Sequence, residues 1–191
     1  MALSGELHAD LKSFQAQIEA IQRDADDLLV GVSEQQFNWR SAPNRWSIGE
    51  CLEHLNVTAR LYWPLIAAAI NEARVAGGMS PGPYKHGWFG NWFVRSAEPP
   101  PKIRFRASRR FRPQIDLPLS HVVPQFAAFQ ERLLDLIRDA NGVDLGRTKV
   151  QMPTTRLITL TLGQAFGLVT AHERRHLWQA RQVRQDPGFP I

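Results

Sequence analysis

A single cysteine, Cys51, stands in 191 residues, so no internal disulfide can form. That fits a reducing cytosol, and a cytoplasmic protein is expected. No stretch approaches the roughly 18 consecutive apolar residues of a membrane span, so no membrane partner is expected. The opening residues, MALSGELHADLKSFQAQIEAIQ, lack the basic-then-apolar order of a signal peptide and read as an amphipathic helix. Acidic residues are missing between 102 and 112, where Lys102, Arg104, Arg106, Arg109, Arg110 and Arg112 supply six positive charges. The formal net charge is +5, so the rest of the chain sums to −1. Basicity belongs to one arm and not to the fold, which argues against a nucleic-acid-binding domain.

What is present is helical periodicity. Leu7, Leu11, Phe14, Ile18, Ile21, Ala25 and Leu28 recur at steps of three and four and give a first helix near residues 5–30. Residues 31–46 carry the Gly, Ser, Asn and Pro of a connection. Ser47-Ile48-Gly49-Glu50 then forms a capping box that opens a second helix, which Pro64 should kink or split. Residues 77–117 are rich in glycine and proline, so no helix is expected there, only a short extended piece at 102–106. A third helix runs from about Ser120 to Asn141-Gly142, with Pro124 in its first turn. Thr161-Leu162-Gly163-Gln164 is a second capping box, and it opens the last helix. Four long helices without a strong strand pattern predict an all-α chain. Its expected form is a single domain over 1–191, a four-helix bundle with a long crossover connection between the second and third helices.

His54, His172 and His176 carry the chemistry. His172 and His176 lie four apart on one helical face, where two imidazoles can grip one ion. Measured from the capping residues Ser47 and Thr161, the three point to about −20°, +20° and +60° at roughly 100° per residue. Depth agrees: at about 1.5 Å per residue, an antiparallel pairing of the second and last helices brings all three to nearly one level. Two histidines four apart are often plain surface or capping groups; the matching third favours a metal site between the helices. His172-Glu173-Arg174-Arg175-His176 also reads as the zinc-protease HExxH. That reading fails, because the fifteen residues after His176 contain neither His nor Glu to serve as a third ligand.

Trp46-Ser47-Ile48-Gly49-Glu50 followed by His54-Leu55, with His172-Glu173-Arg174-Arg175-His176-Leu177-Trp178-Gln179-Ala180, resembles the DinB-like superfamily. The resemblance extends from the first helix to about Val183. It implies a four-helix bundle and a divalent metal held by three histidines, which fall here on His54, His172 and His176. Characterised members include thiol-dependent S-transferases and isomerases, which implies a small-molecule substrate and a low-molecular-weight thiol as co-reactant. The resemblance also implies a link to stress response and allows a homodimer. Three neutral imidazoles leave a coordination position open. Zinc is the default ion, and nickel or iron also suits imidazole.

Other residues near these motifs have plainer readings. Glu173 points about 100° from the histidine face, as a solvated or supporting carboxylate rather than a base. Glu50 is explained by its cap, and Gln179, one turn after His176, by packing or solvation, although each could reach the site. Cys51 reads as a buried inert thiol, and His8, His86 and His121 as surface or loop groups. Trp88 and Trp92 could wall a pocket, unlike the other tryptophans, which read as packing. The arm at 102–112 reads as a solvated edge pinned by Ile103, Phe105 and Phe111. Its sharper readings are anionic substrate recognition through Arg104 and Arg106, or contact with nucleic-acid phosphate. A non-enzymatic binding module whose metal only staples helices is the alternative to an enzyme.

Overall fold

Each of the two site-bearing helices starts where the sequence supplies a reciprocal cap. In the computed structural model, which describes residues 6–80, 82–85, 87–101, 107–153 and 159–191, the chain is mostly helical. Helix α1 spans Ala9–Leu29 and buries Leu11, Ile18, Ile21, Ala25 and Leu28, the predicted stripe. The expected 31–46 connection contains a short helix, α2 (Glu34–Asn38), opened by a capping box between Ser33 and Gln36. Helix α3 (Ile48–Val75) opens on the predicted box, with Ser47 and Glu50 engaging each other's backbone amides. Pro64 does not split it: the residue sits on the solvent face, where water can meet the carbonyl that lost its partner.

Residues 77–117 are less irregular than expected. Helix α4 (Trp88–Ser96) and a 3-10 turn at Arg109–Phe111 lie within them. Gly90 explains why composition misleads here. A Cβ on it would stand 2.4 Å from the Gln164 side chain, so α4 needs glycine to lie this close to its neighbour. The Gln164 amide then ties the two helices together, donating to the Gly87 carbonyl at 2.8 Å and to Asn91 Oδ1 at 3.1 Å. The predicted extended piece at 102–106 lies outside the described residues.

Helix α5 (Leu119–Asp139) matches the third predicted helix, although its start at Leu119 moves Pro124 into the second turn, again on the exposed side. Two short strands follow, β1 (Lys149–Gln151) and β2 (Thr159–Thr161), which the sequence pattern did not predict. They pair antiparallel, with Val150 opposite Leu160. Three-residue strands are too short to show a period of two, so only the tertiary pairing reveals them. Thr161 ends β2 and caps α6 (Leu162–Arg184) by the expected box with Gln164.

The four long helices pack α3 against α5 and α6, and α1 against the same two. Asn56 donates to the Val122 carbonyl and Trp63 to that of Phe129, so α3 and α5 run in one direction. Thr170 donates to Gln17 and Arg181 pairs with Asp24, so α1 and α6 run together as well. Two core clusters fix the relation between the pairs. Leu52 and Leu55 near the start of α3 share one with Leu177 and Ala180 near the end of α6. Ile66 and Ile70, later in α3, share the other with Leu162 and Phe166 at the start of α6. Helices α3 and α6 are therefore antiparallel, the arrangement the histidine depths require. No helix among the described residues is long and apolar enough to cross a membrane.

Candidate metal centre

Because α3 and α6 are antiparallel and each is phased by its cap, His54 in the second turn of α3 meets His172 and His176 midway along α6. One ring nitrogen from each lies within 4.8 Å of the others. His54 Nε2 stands 3.2 Å from His172 Nε2. Two tetrahedral zinc ligands at about 2.0–2.1 Å from the ion would lie roughly 3.3 Å apart, so this pair already has coordination spacing. Ring centroids are 4.5 Å apart for His54–His176 and for His172–His176.

Two of the rings are oriented from behind. His54 Nδ1 lies 2.6 Å from the Phe111 carbonyl, which can only accept, so the proton sits on Nδ1 and Nε2 keeps its lone pair. His176 Nδ1 lies 3.1 Å from Gln179 Oε1, with the same consequence. Trp46 covers the pair, its ring centroid 4.8 Å from that of His54 and 5.6 Å from that of His176. Burial holds all three imidazoles neutral. It pulls His172 down to about 3, helped by His54 and Arg175. His176 falls well below its usual value for the same reason, with His172, His54 and Arg175 adding to it. His54 is lowered by burial, against a smaller opposite pull from the Phe111 carbonyl. Neutral rings with converging nitrogens are the donor set a borderline cation requires.

The histidines line a half-open cavity of about 1550 Å³ between α3, α4 and α6. The DinB superfamily matches residues 17–180, a span that contains all three histidines, Trp46, Phe111 and Gln179. The chain belongs to that superfamily. No curated protein and no solved structure matches it.

In this DinB-superfamily chain the remaining candidates divide. Gln179 is brought to the site and does more than pack, since it accepts from His176. Glu50 lines the cavity, but its carboxylate is engaged by the Ser47 amide at 3.0 Å and by Arg40 at 2.6 Å. Glu173 points away from the histidines, as its angle predicted, but is not solvated. It is 3 % exposed and faces α5, where Gln130 donates to it at 3.0 Å. Burial raises its carboxyl to about 7, against the pull of Gln130 and Arg174. Trp88 and Trp92 do not reach the cavity; they are 81 % and 54 % exposed on the outer face of α4, and Phe93 lines the wall instead. Arg104 and Arg106 lie outside the described residues, while Arg112 lines the cavity and Phe111 is buried. Cys51 is fully buried, and burial pushes its thiol far up. Sequence reasoning missed Trp46 as a site group and the Phe111 carbonyl. Trp46 could have been found from its place directly before the capping Ser47. A backbone carbonyl offers no sequence signal at all.

Proposed function

We propose that the protein is a metal-dependent enzyme, a thiol-dependent S-transferase or hydrolase, in which His54, His172 and His176 hold a divalent cation. The observation that carries this reading is the convergence of three neutral imidazoles, two of them oriented from behind, on the wall of an open cavity. A structural metal would be expected in a closed site, whereas catalytic sites keep a position open to solvent or substrate. A volume of about 1550 Å³ exceeds the roughly 300–1,000 Å³ typical of a site for one small molecule, and so suits two reactants. Zinc is the leading ion, with nickel and iron admitted by the all-imidazole set. The shared core clusters and helix directions support a four-helix bundle whose residues 77–117 form the crossover.

A divalent ion here would supply Lewis acidity, lowering the pKa of a thiol or water presented to it. The chain's own residues do the rest. The Phe111 carbonyl and Gln179 fix the tautomers of His54 and His176, so that ring rotation is not free. Trp46 excludes water from one side of the rings. Glu50 and Glu173 are both engaged elsewhere, which leaves no carboxylate assigned as general base.

Metal analysis of purified protein beside a His54/His172/His176→Ala triple variant tests the reading. Stoichiometric metal in the wild type and none in the variant is expected; equal content in both removes the site. Conjugation of a model electrophile with a panel of cellular thiols tests the reaction, and it requires a rate that chelation abolishes.

A further inference from the structure

The cavity changes character along its length. His54, Thr58 and Tyr62 lie at steps of four on α3 and share one face. Toward the start of α3, beyond the histidines, the wall carries the polar groups of Asn44, Arg45, Gln179 and Gln182 beside Trp46 and Val183. Toward its end the wall is built by Tyr62, Phe93, Met152, Leu168 and Val169. About 12 Å of helix rise separates His54 from Tyr62, at 1.5 Å per residue.

Of the five side-chain hydroxyls on the wall, Thr58, Tyr62 and Ser96 donate a hydrogen bond to a partner within the protein. Thr58 donates to the His54 carbonyl at 2.8 Å and Ser96 to the Phe93 carbonyl at 2.6 Å, both strong acceptors. Tyr62, only 5 % exposed, donates to the Met152 sulfur at 3.2 Å. A thioether is a weak acceptor, so the Tyr62 hydroxyl is the one donor of the three that would gain by exchanging its partner for an oxygen. An apolar wall with one such polar group is the usual composition of a site that orients a small molecule.

We infer that this limb of the cavity is a subsite for an apolar small molecule bearing a carbonyl oxygen, with Tyr62 as the donor that selects it. The ligand's apolar body lies against Phe93 and Leu168, and its other end faces the histidines. This deepens the enzymatic reading and rests on it only for the statement that the end facing the histidines reacts.

The test uses two probes of one shape, propiophenone and n-propylbenzene, with affinities measured by ligand-observed NMR titration. Wild type is expected to favour the ketone. Tyr62→Phe, which keeps the ring packing, should cut that preference by on the order of tenfold, the worth of one net hydrogen bond, and leave n-propylbenzene unchanged. Met152→Leu, which removes the competing sulfur, should keep or sharpen the preference. The triple histidine variant should also retain it, so loss of metal binding and loss of the subsite are read separately. An unchanged ketone preference in Tyr62→Phe, or no binding of either probe to wild type at millimolar concentration, would overturn the inference.

Discussion

Glu173→Gln should stabilise the metal-free protein at pH 8 and change it by less than about 1 kcal/mol at pH 5. Glu173 is buried between α6 and α5, where Gln130 Nε2 donates to its Oε1. Glu173 Oε2 and Gln130 Oε1 are both buried without a hydrogen-bond partner. A proton on Oε2 would turn one of these orphans into a donor, and the other, on the same amide, is an acceptor. Burial accordingly raises the folded carboxyl from 4.5 to about 7. Between those two values the folded state holds a proton that the unfolded state has released, so stability falls as pH rises. The full loss is about 3 kcal/mol, from a shift of roughly 2.5 units at 1.36 kcal/mol each.

The three histidines act with the opposite sign. Their folded values are lowered, so below about 6.5 the unfolded chain binds the extra protons and stability rises with pH. The wild-type curve alone mixes the two effects. The difference between wild type and Glu173→Gln separates them, since the histidine contribution is common to both. A glutamine at 173 can still accept from Gln130 and can also donate to its oxygen, as the protonated acid would. Urea unfolding followed by circular dichroism, on chelator-treated protein from pH 5 to 8, should show the difference growing to about 3 kcal/mol in favour of the variant. In thermal scans that is about 6–12 °C for a chain of this size. A difference that does not vary with pH, or a variant less stable at pH 8, refutes the placement of this carboxyl.

Gln179→Ala should weaken metal binding by about 10–100-fold, since it frees the His176 ring, and competition with a chelating dye would measure this. A change under twofold would show that Gln179 does not orient its neighbour. Metal affinity should fall only a few-fold from pH 8 to pH 6, because burial keeps the rings neutral. Three ordinary imidazoles near 6.5 would lose roughly 65-fold over that range, and such a loss would contradict the depressed values. Gly49→Ala should destabilise by about 1–2 kcal/mol despite alanine's helix propensity, because overpacking costs more than the roughly 1 kcal/mol propensity gain. The new Cβ would stand 2.6 Å from the buried Phe37 ring, and a melting temperature at or above wild type would show that the ring yields.

The legible parts of the site were those set by local geometry. Both capping boxes form as the sequence predicts, and counting residues from Ser47 and Thr161 places three histidines on facing surfaces. The same counting turned Glu173 away from them, but an angle within one helix does not say what lies opposite. Only packing against α5 revealed that the carboxylate is buried. Helix α4 was hidden because Gly90, unfavourable in an isolated helix, is required by the approach of Gln164 from α6. The roles of Tyr62 with Met152, and of the Phe111 carbonyl, depend on residues 90 and 57 positions apart, and no window along the chain contains both partners.

The site draws on two sources that are physically separable. Its three rings come from α3 and α6, whose phase is fixed by their own caps and by core contacts along their whole length. Much of its wall comes from residues 77–117: Phe93 and Ala97 of the α4 region, and Arg112 after the 3-10 turn. A change in that connection can reshape the cavity without moving the imidazoles. The exception is Phe111, whose carbonyl holds the Nδ1 proton of His54. Through that one hydrogen bond the docking of the 3-10 turn and the readiness of His54 to accept a cation are linked, and linkage is reciprocal. A cation that fixes the His54 ring must therefore also favour the docked turn. The connection thus supplies part of the cavity wall and, at Phe111, a hydrogen bond to one of the three histidines.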